Sequence, residues 1–284
     1  MLIPHFMKDK RFKLNHGLIL ETFEKEKSTS KTAELLNIKR TSVQFVLKKY
    51  NKQLSVVNAH RKHSCDETYF NNINTEEKAY WLGFLYADGC IADTQKNSSK
   101  KLQVDLAIKD IDHLIKLKKS LCSTHPVSKH RTNVGHDYVK FKVTSNDLCN
   151  ALILQGCTPR KSLTLTFPKL TKSLTPHFIR GYFDGDGSVF VSKEKHWRSS
   201  VVSDVIHYRF IGTKAFLESV QDSIELGGNL QQVKQNKTYE LAYKRNKKVE
   251  CFYKYLYNNA TIFMERKKII FENHINKMKV QRLQ

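Results

Sequence analysis

The chain has 284 residues, more than one ordinary domain, and 49 Lys+Arg against 27 Asp+Glu leave a net charge of +22. Such an excess selects a polyanionic partner, nucleic acid first; a membrane surface competes, but no apolar run nears the ~20 residues of a spanning helix and no signal peptide opens the sequence. With 40% hydrophobic residues, including 16 Phe and 12 Tyr, the chain can bury a sizeable core.

Residues 1–53 read as a small all-α domain. Leu14 to Glu26 has helical periodicity, Ser28-Thr29-Ser30 offers caps for a short helix through Leu36, and Asn37-Ile38 makes a turn. Thr41 or Ser42 caps a third helix running to about Lys49. Ala33, Leu36, Ile38, Val43, Val46 and Leu47 are spaced as the core of a helix-turn-helix, and the segment resembles such domains in general. Arg40, Ser42, Gln44, Phe45, Lys48 and Lys49 would then meet DNA in the major groove; a helical cap or interaction module is the alternative. Residues 54–76 are a polar linker in which Arg61 and Lys62 either follow a DNA backbone or are simply solvated.

The next stretch, Trp81-Leu82-Gly83-Phe84-Leu85-Tyr86-Ala87-Asp88-Gly89, is an apolar helix with Asn74 or Thr75 as cap. Apolar residues cover every face, so it should be buried all round. Ile179-Arg180-Gly181-Tyr182-Phe183-Asp184-Gly185-Asp186-Gly187 repeats the pattern, with Thr175 as cap and Pro176 at the first position. Gly83 with Ala87, and Gly181 with Gly185, are small residues four apart, which lets two backbones approach closely. Gly89 and Gly187 suit the left-handed residue past a helix end. Each helix carries an aspartate at its negative end, a cost of roughly 0.3–1 kcal/mol, and pairing the helices brings Asp88 near Asp186. A hard divalent cation would remove that penalty.

Each motif helix is followed by the same order of elements. In the first repeat, residues 77–170, strands fall at Cys90–Ala92, Leu102–Ile108, Val127–Arg131 and Tyr138–Thr144, with helices at Ile111–Leu121 and Asp147–Leu154. The strands alternate: Val139, Phe141 and Val143 face a core, while Gln103, Lys140 and Lys142 face out. Such a face suits the major groove, with Lys129, Arg131, Lys140 and Lys142 as contacts, or is an ordinary solvated face. Arg160 and Lys161, in the basic turn between repeats, could touch phosphate. In the second repeat, residues 171–284, strands fall at Ser188–Ser192, Val202–Ile211, Leu230–Lys234 and Tyr239–Lys244, and Arg209, Lys234 and Lys244 join the basic set.

Both motif segments resemble the LAGLIDADG motif of homing endonucleases, in the single-chain arrangement with two motifs. The resemblance implies an α+β fold of two pseudo-symmetric αββαββα repeats with saddle-like antiparallel sheets, here with the N-terminal helix-turn-helix added. It implies a monomer that hydrolyses one phosphodiester per strand of a long, non-palindromic DNA duplex. Asp88 and Asp186 stand at the motif's eighth position, the metal-binding carboxylate, with the carbonyls of Ala87 and Gly185 completing a shell for Mg2+, or Mn2+ in its place. Lys244 stands where the resemblance puts a basic residue beside the scissile phosphate; Thr144 is its first-repeat counterpart, so Lys142 is the substitute. A DNA-binding regulator, or an RNA maturase acting on its own intron RNA, could use the same fold without cutting. The six cysteines form no CxxC pair, which fits free thiols in a reducing intracellular compartment, cytoplasmic or organellar.

Overall fold

The computed structural model describes residues 15–26, 28–50, 62–92, 99–195, 202–233, 237–244, 246 and 248–283. The chain divides into two units, Met1–His63 and Ser64–Gln284. The polar linker expected over 54–76 therefore stops short: from Ser64 onward the chain is part of the larger unit. Asp66 N–H donates to Leu121 O, and Phe70 is fully buried.

Among its described residues the small unit has three helices, α1 (His16–Glu26), α2 (Thr29–Leu35) and α3 (Arg40–Lys49). Ile19, Ala33, Val43, Val46 and Leu47 form its core. Ser28 caps α2 by accepting from Lys31 N–H, and Asn37 takes a left-handed φ of 49° in the turn. Thr41 and Ser42 lie inside the first turn of α3, whose cap position is Lys39, with no side-chain bond.

In the larger unit the order is α4 (Glu76–Asp88), β1 (Gly89–Ala92), β2 (Lys101–Ala107), α5 (Ile111–Ser120), β3 (Val127–Arg131), β4 (Asp137–Thr144) and α6 (Asn146–Leu154). It then repeats as α7 (Thr175–Asp186), β5 (Ser188–Lys195), β6 (Val202–Gly212), α8 (Lys214–Ile224), β7 (Asn229–Gln232), β8 (Tyr239–Lys244) and α9 (Val249–Tyr257). A last helix, α10 (Glu265–Leu283), follows the second repeat. Each repeat folds into an antiparallel four-stranded sheet, ordered β1-β2-β4-β3 and β5-β6-β8-β7. The inner faces, with Val104, Phe141, Tyr208 and Leu241, join one hydrophobic core with the helices.

The α4–α7 pair runs through that core. Ala79 through Tyr86 are all buried, as the all-round apolar pattern requires. A Cβ on Gly83 would sit 2.0 Å from Phe178 O, and one on Gly181 would sit 1.9 Å from Tyr80 O. Backbone touches backbone at both crossings. Fully buried Arg180 ties the pair together: its guanidinium donates to Glu76 Oε1 at 2.7 Å, to Leu256 O at 2.7 Å and to Ile262 O at 2.9 Å. That satisfies a charge that would otherwise be costly to bury.

Candidate active site at the paired helix ends

Thr75 caps α4 by accepting from Lys78 N–H, whereas Leu174 occupies the cap position of α7 and Thr175 is already helical. At the other end the glycines do a different job from the one expected. Gly89 and Gly187 have φ of −75° and −72°, which is extended rather than left-handed backbone. Glycine is required because the chain turns sharply from helix into strand. A Cβ on Gly89 would lie 2.5 Å from Leu85 O, and one on Gly187 would lie 2.4 Å from the Phe183 ring.

This turn leaves Asp88 and Asp186 on the last residues of two touching helices. A Cβ on Gly185 would come within 2.3 Å of Ala87 Cβ and 3.2 Å of Asp88 Oδ2, so the two acid-bearing turns are in contact. Burial, and then the charge of Asp186, push the Asp88 carboxyl up to about 7. Burial also raises Asp186, with Lys161 and Lys267 pulling it back. Asp186 is more open to solvent than half-buried Asp88, so the crowding bears hardest on Asp88.

Two lysines meet these helix ends. Lys161, the first residue after the Arg160 turn, is buried and donates through Nζ to Gly89 O and to Ala87 O (3.4 Å). Lys267, on the first turn of α10, is buried and donates to the carbonyls of Phe183 (2.7 Å), Asp184 (2.7 Å), Gly185 (3.0 Å) and Gly187 (2.5 Å). Burial draws the Lys267 ammonium down to about 8, while neighbouring Asp184 holds it up. In each repeat, then, a lysine that follows the closing helix (α6 or α9) reaches the negative end of that repeat's own motif helix. A cation there is favourable by dipole and by hydrogen bonding. Asp184 fixes the approach of α10 by accepting from Met264 N–H (2.7 Å), Tyr80 Oη (2.8 Å) and Tyr257 Oη (3.2 Å).

The sequence reading placed the basic partners elsewhere. Lys244 lies on the outer face of its sheet, paired with Glu194 at 2.9 Å. Lys142 is exposed, opposite Gln103 in the ladder. Lys161, expected to touch phosphate from a surface turn, is inside the site, and Lys267 was not singled out. The Ala87 carbonyl accepts from Lys161 and the Gly185 carbonyl from Lys267.

The expected DNA-facing set is sorted by register. Gln103, Lys140, Lys142, Arg209 and Lys244 share the outer sheet faces. Lys129 and Arg131 do not: they pair with Val139 and Asp137, which puts them on the opposite face from Lys140 and Lys142. Ser128 and His130 take the outer positions on β3, with the His130 ring stacked on Tyr138. Arg160 is exposed in a left-handed turn, φ 56°. On α3, Arg40, Phe45, Lys48 and Lys49 are exposed, Ser42 and Gln44 are half-buried, and Arg40 donates to Thr29 Oγ1. Lys62 is exposed; Arg61 and Lys234 lie outside the described residues.

Solved structures with the same architecture are LAGLIDADG proteins. The meganuclease I-AabMI bound to uncleaved DNA superposes with a TM-score of 0.51 at 16% identity, covering 71% of this chain and 91% of that one. The fold is that of the LAGLIDADG homing endonucleases. I-LtrWI bound to target DNA gives a TM-score of 0.51 at 15% identity, over 75% of this chain and 92% of that one. I-SmaMI with uncleaved DNA and calcium ions gives 0.50 at 12% identity, over 74% and 93%. No family model matches the sequence, and no curated protein does either. In LAGLIDADG terms α4 and α7 are the two motif helices.

Among the described residues no three His, Cys, Asp or Glu side chains cluster as a metal site. The helix ends instead offer two carboxylates and two carbonyls, all hard oxygen. That set fits a hard divalent cation and offers nothing to a soft one.

The crowded acids set a pH-dependent cost. A folded-state value for Asp88 near 7, against an ordinary 3.8, means the fold binds this proton more tightly than the unfolded chain does. The penalty is absent below about pH 4, grows as pH rises, and is complete above about pH 7. In EDTA at pH 8, Asp88→Asn is therefore expected to stabilise the protein by on the order of 2 kcal/mol, with the gain shrinking at pH 5. Thermal melts at the two pH values check this; an equal or inverted gain at pH 5 rules out the ionisation of buried, crowded Asp88 as the cause.

Proposed function

We propose that the protein is a site-specific double-strand DNA endonuclease of the homing type, acting as a monomer with a divalent metal ion. The observation that carries this reading is the pair of crowded carboxylates at touching helix ends, each flanked by a buried lysine. A structural helix pair gains nothing from that arrangement. Asp88 and Asp186 would hold Mg2+ (or Mn2+), with the carbonyls of Ala87 and Gly185. When bound there, the metal supplies Lewis-acid charge beside the scissile phosphate and acidifies its water.

The chain's own groups do the rest. Lys161 and Lys267 fix the carbonyls beside the acids and add positive charge where the phosphate arrives, preorganised and largely screened from water. The outer sheet faces supply base and phosphate contacts, and α3 of the small unit supplies a further major-groove contact. That α3 carries Arg40, Lys48 and Lys49 and no acid supports the last assignment.

Incubating the full chain with a randomised long-duplex library tests the function. With Mg2+ or Mn2+ a defined site is cut on both strands, and EDTA stops the cutting. Tight binding of one duplex with no cleavage in either metal would overturn the nuclease reading and leave a DNA-binding regulator or an RNA maturase. Lys267→Met is expected to slow cleavage about 10²-fold and to accumulate nicked duplex, because one of the two strand sites loses its cation. Gel analysis of nicked against linear product reads it, and loss of both strands in step argues against one lysine per site.

A further inference from the structure

We infer that Arg209 is the specificity-determining residue of the second half-site, and that it reads a guanine for which the first half has no matching reader. The inference rests on the DNA interface of the proposed nuclease.

Arg209 sits in mid-strand on β6, on the outer face. Its ladder row runs Ser188–Arg209–Ala242–Asn229 across the sheet, beginning two residues after Asp186. The side chain is held on two sides: Nε donates to Ser188 Oγ at 2.8 Å, and a terminal nitrogen donates to Glu240 Oε2 at 2.8 Å. Even so, 43% of it is exposed. A guanidinium has five N–H donors in a rigid plane, so three remain after these bonds. Ala242, next in the row, has only a methyl group and leaves the space beside it open. A cavity of about 470 Å3 opens there, bordered by Phe190, Arg209, Asn229, Glu240 and Lys244.

A guanidinium fixed in orientation, with free donors facing open space, matches the N7 and O6 acceptors of guanine. Its contacts to Ser188 and Glu240 hold it in one direction, so it is not free to follow a phosphate. Nearby on the same face, Glu194 meets both Lys244 (2.9 Å) and His207 (3.0 Å). Among the described residues of this sheet Arg209 is the one arginine, held in a fixed direction with donors to spare.

The equivalent row of the first sheet is Cys90–Gln103–Lys142. Gln103 stands in the place of Arg209 and donates to Asp105 at 2.8 Å. Lys142 stands in the place of Ala242 and fills the space left open in the second half. Lys140 takes the place of Glu240, so the residue that orients Arg209 has the opposite charge in the first half. The two halves therefore cannot read the same base pair next to the cleavage centre.

The test is binding selection by the full chain from a randomised duplex library in Ca2+, comparing wild type with Arg209→Ala, Arg209→Lys and Glu240→Gln. Wild type is expected to select one invariant G·C pair in one half of the site. Arg209→Ala and Arg209→Lys should each lose about 10–100-fold discrimination at that pair alone. Glu240→Gln, which keeps a hydrogen-bond acceptor, should retain the preference. Uniform weakening over all sequences by Arg209→Ala, with a shallower salt dependence, would make Arg209 a phosphate contact and overturn the proposal. So would an unchanged preference, or no duplex selected by wild type. Selection of the G·C pair by a protein that never cuts would sink the nuclease reading and leave this one standing.

Discussion

Gly181→Ala is expected to prevent the larger unit from folding. The added methyl would lie 1.9 Å from Tyr80 O and 2.9 Å from Phe84 N, and both are backbone atoms of a buried helix. Neither can swing away as a side-chain tip could, so the helices must separate. Separation opens the centre of the core and pulls Arg180 from Glu76. A loss of about 5 kcal/mol or more follows, comparable with the whole stability of a typical domain. Gly83→Ala should behave alike, with its methyl 2.0 Å from Phe178 O. Gly185 provides the control, because its obstacle is a methyl: Ala87 Cβ, at 2.3 Å. Gly185→Ala alone should cost about 1–3 kcal/mol through overpacking. Combined with Ala87→Gly it should recover most of that, less the glycine penalty of about 1 kcal/mol. Solubility and thermal melts of the set decide the matter. A Gly181→Ala protein that melts like wild type is incompatible with backbone contact at this crossing.

Asp88→Asn and Asp186→Asn are each expected to lower double-strand cleavage by on the order of 10³-fold or more, since the charge that holds the cation is halved. DNA affinity should hold or improve, because a carboxylate near phosphate is repulsive. Activity and metal-free stability should thus move in opposite directions in one variant. Such opposition is expected when strain is kept for function and is not expected of structural acids. Cleavage kinetics, gel-shift binding and melts in EDTA together test it. A variant that loses cleavage, binding and stability in parallel would show Asp88 or Asp186 to be a structural residue.

Much of this fold can be read from the sequence, because the signals are periodic. Alternation placed Val139, Phe141 and Val143 inward, and two apolar helices ending in Asp-Gly announced the paired motifs. What was not legible depends on chain segments distant in sequence. Lys267 lies in a charged, unremarkable run, and its role appears only when α10 brings it to the end of α7. Lys161 looked like one more surface cation in a basic turn, yet burial makes it part of the site. Lys129 and Arg131 were grouped with Lys140 and Lys142 because strand parity was clear within β4 but not between β3 and β4. The Arg180–Glu76 contact joins residues from different repeats, and no local pattern signals it. Gly89 and Gly187 were read as suiting a left-handed residue past the helix end; they are extended instead, and it is the close approach of the preceding turn that calls for glycine.

The dependence of the site on α10 also has a consequence in time. Lys267, and the Met264 N–H that Asp184 accepts, belong to a segment made after both motif helices and both sheets. During synthesis the small unit and the sheets emerge first, and domains tend to fold as they emerge. Under the function proposed above, a nascent or prematurely terminated product would hold DNA before its second strand site is complete. The second helix end acquires its cation only when the last helix docks, so in the proposed nuclease translation itself would order recognition ahead of full cleavage.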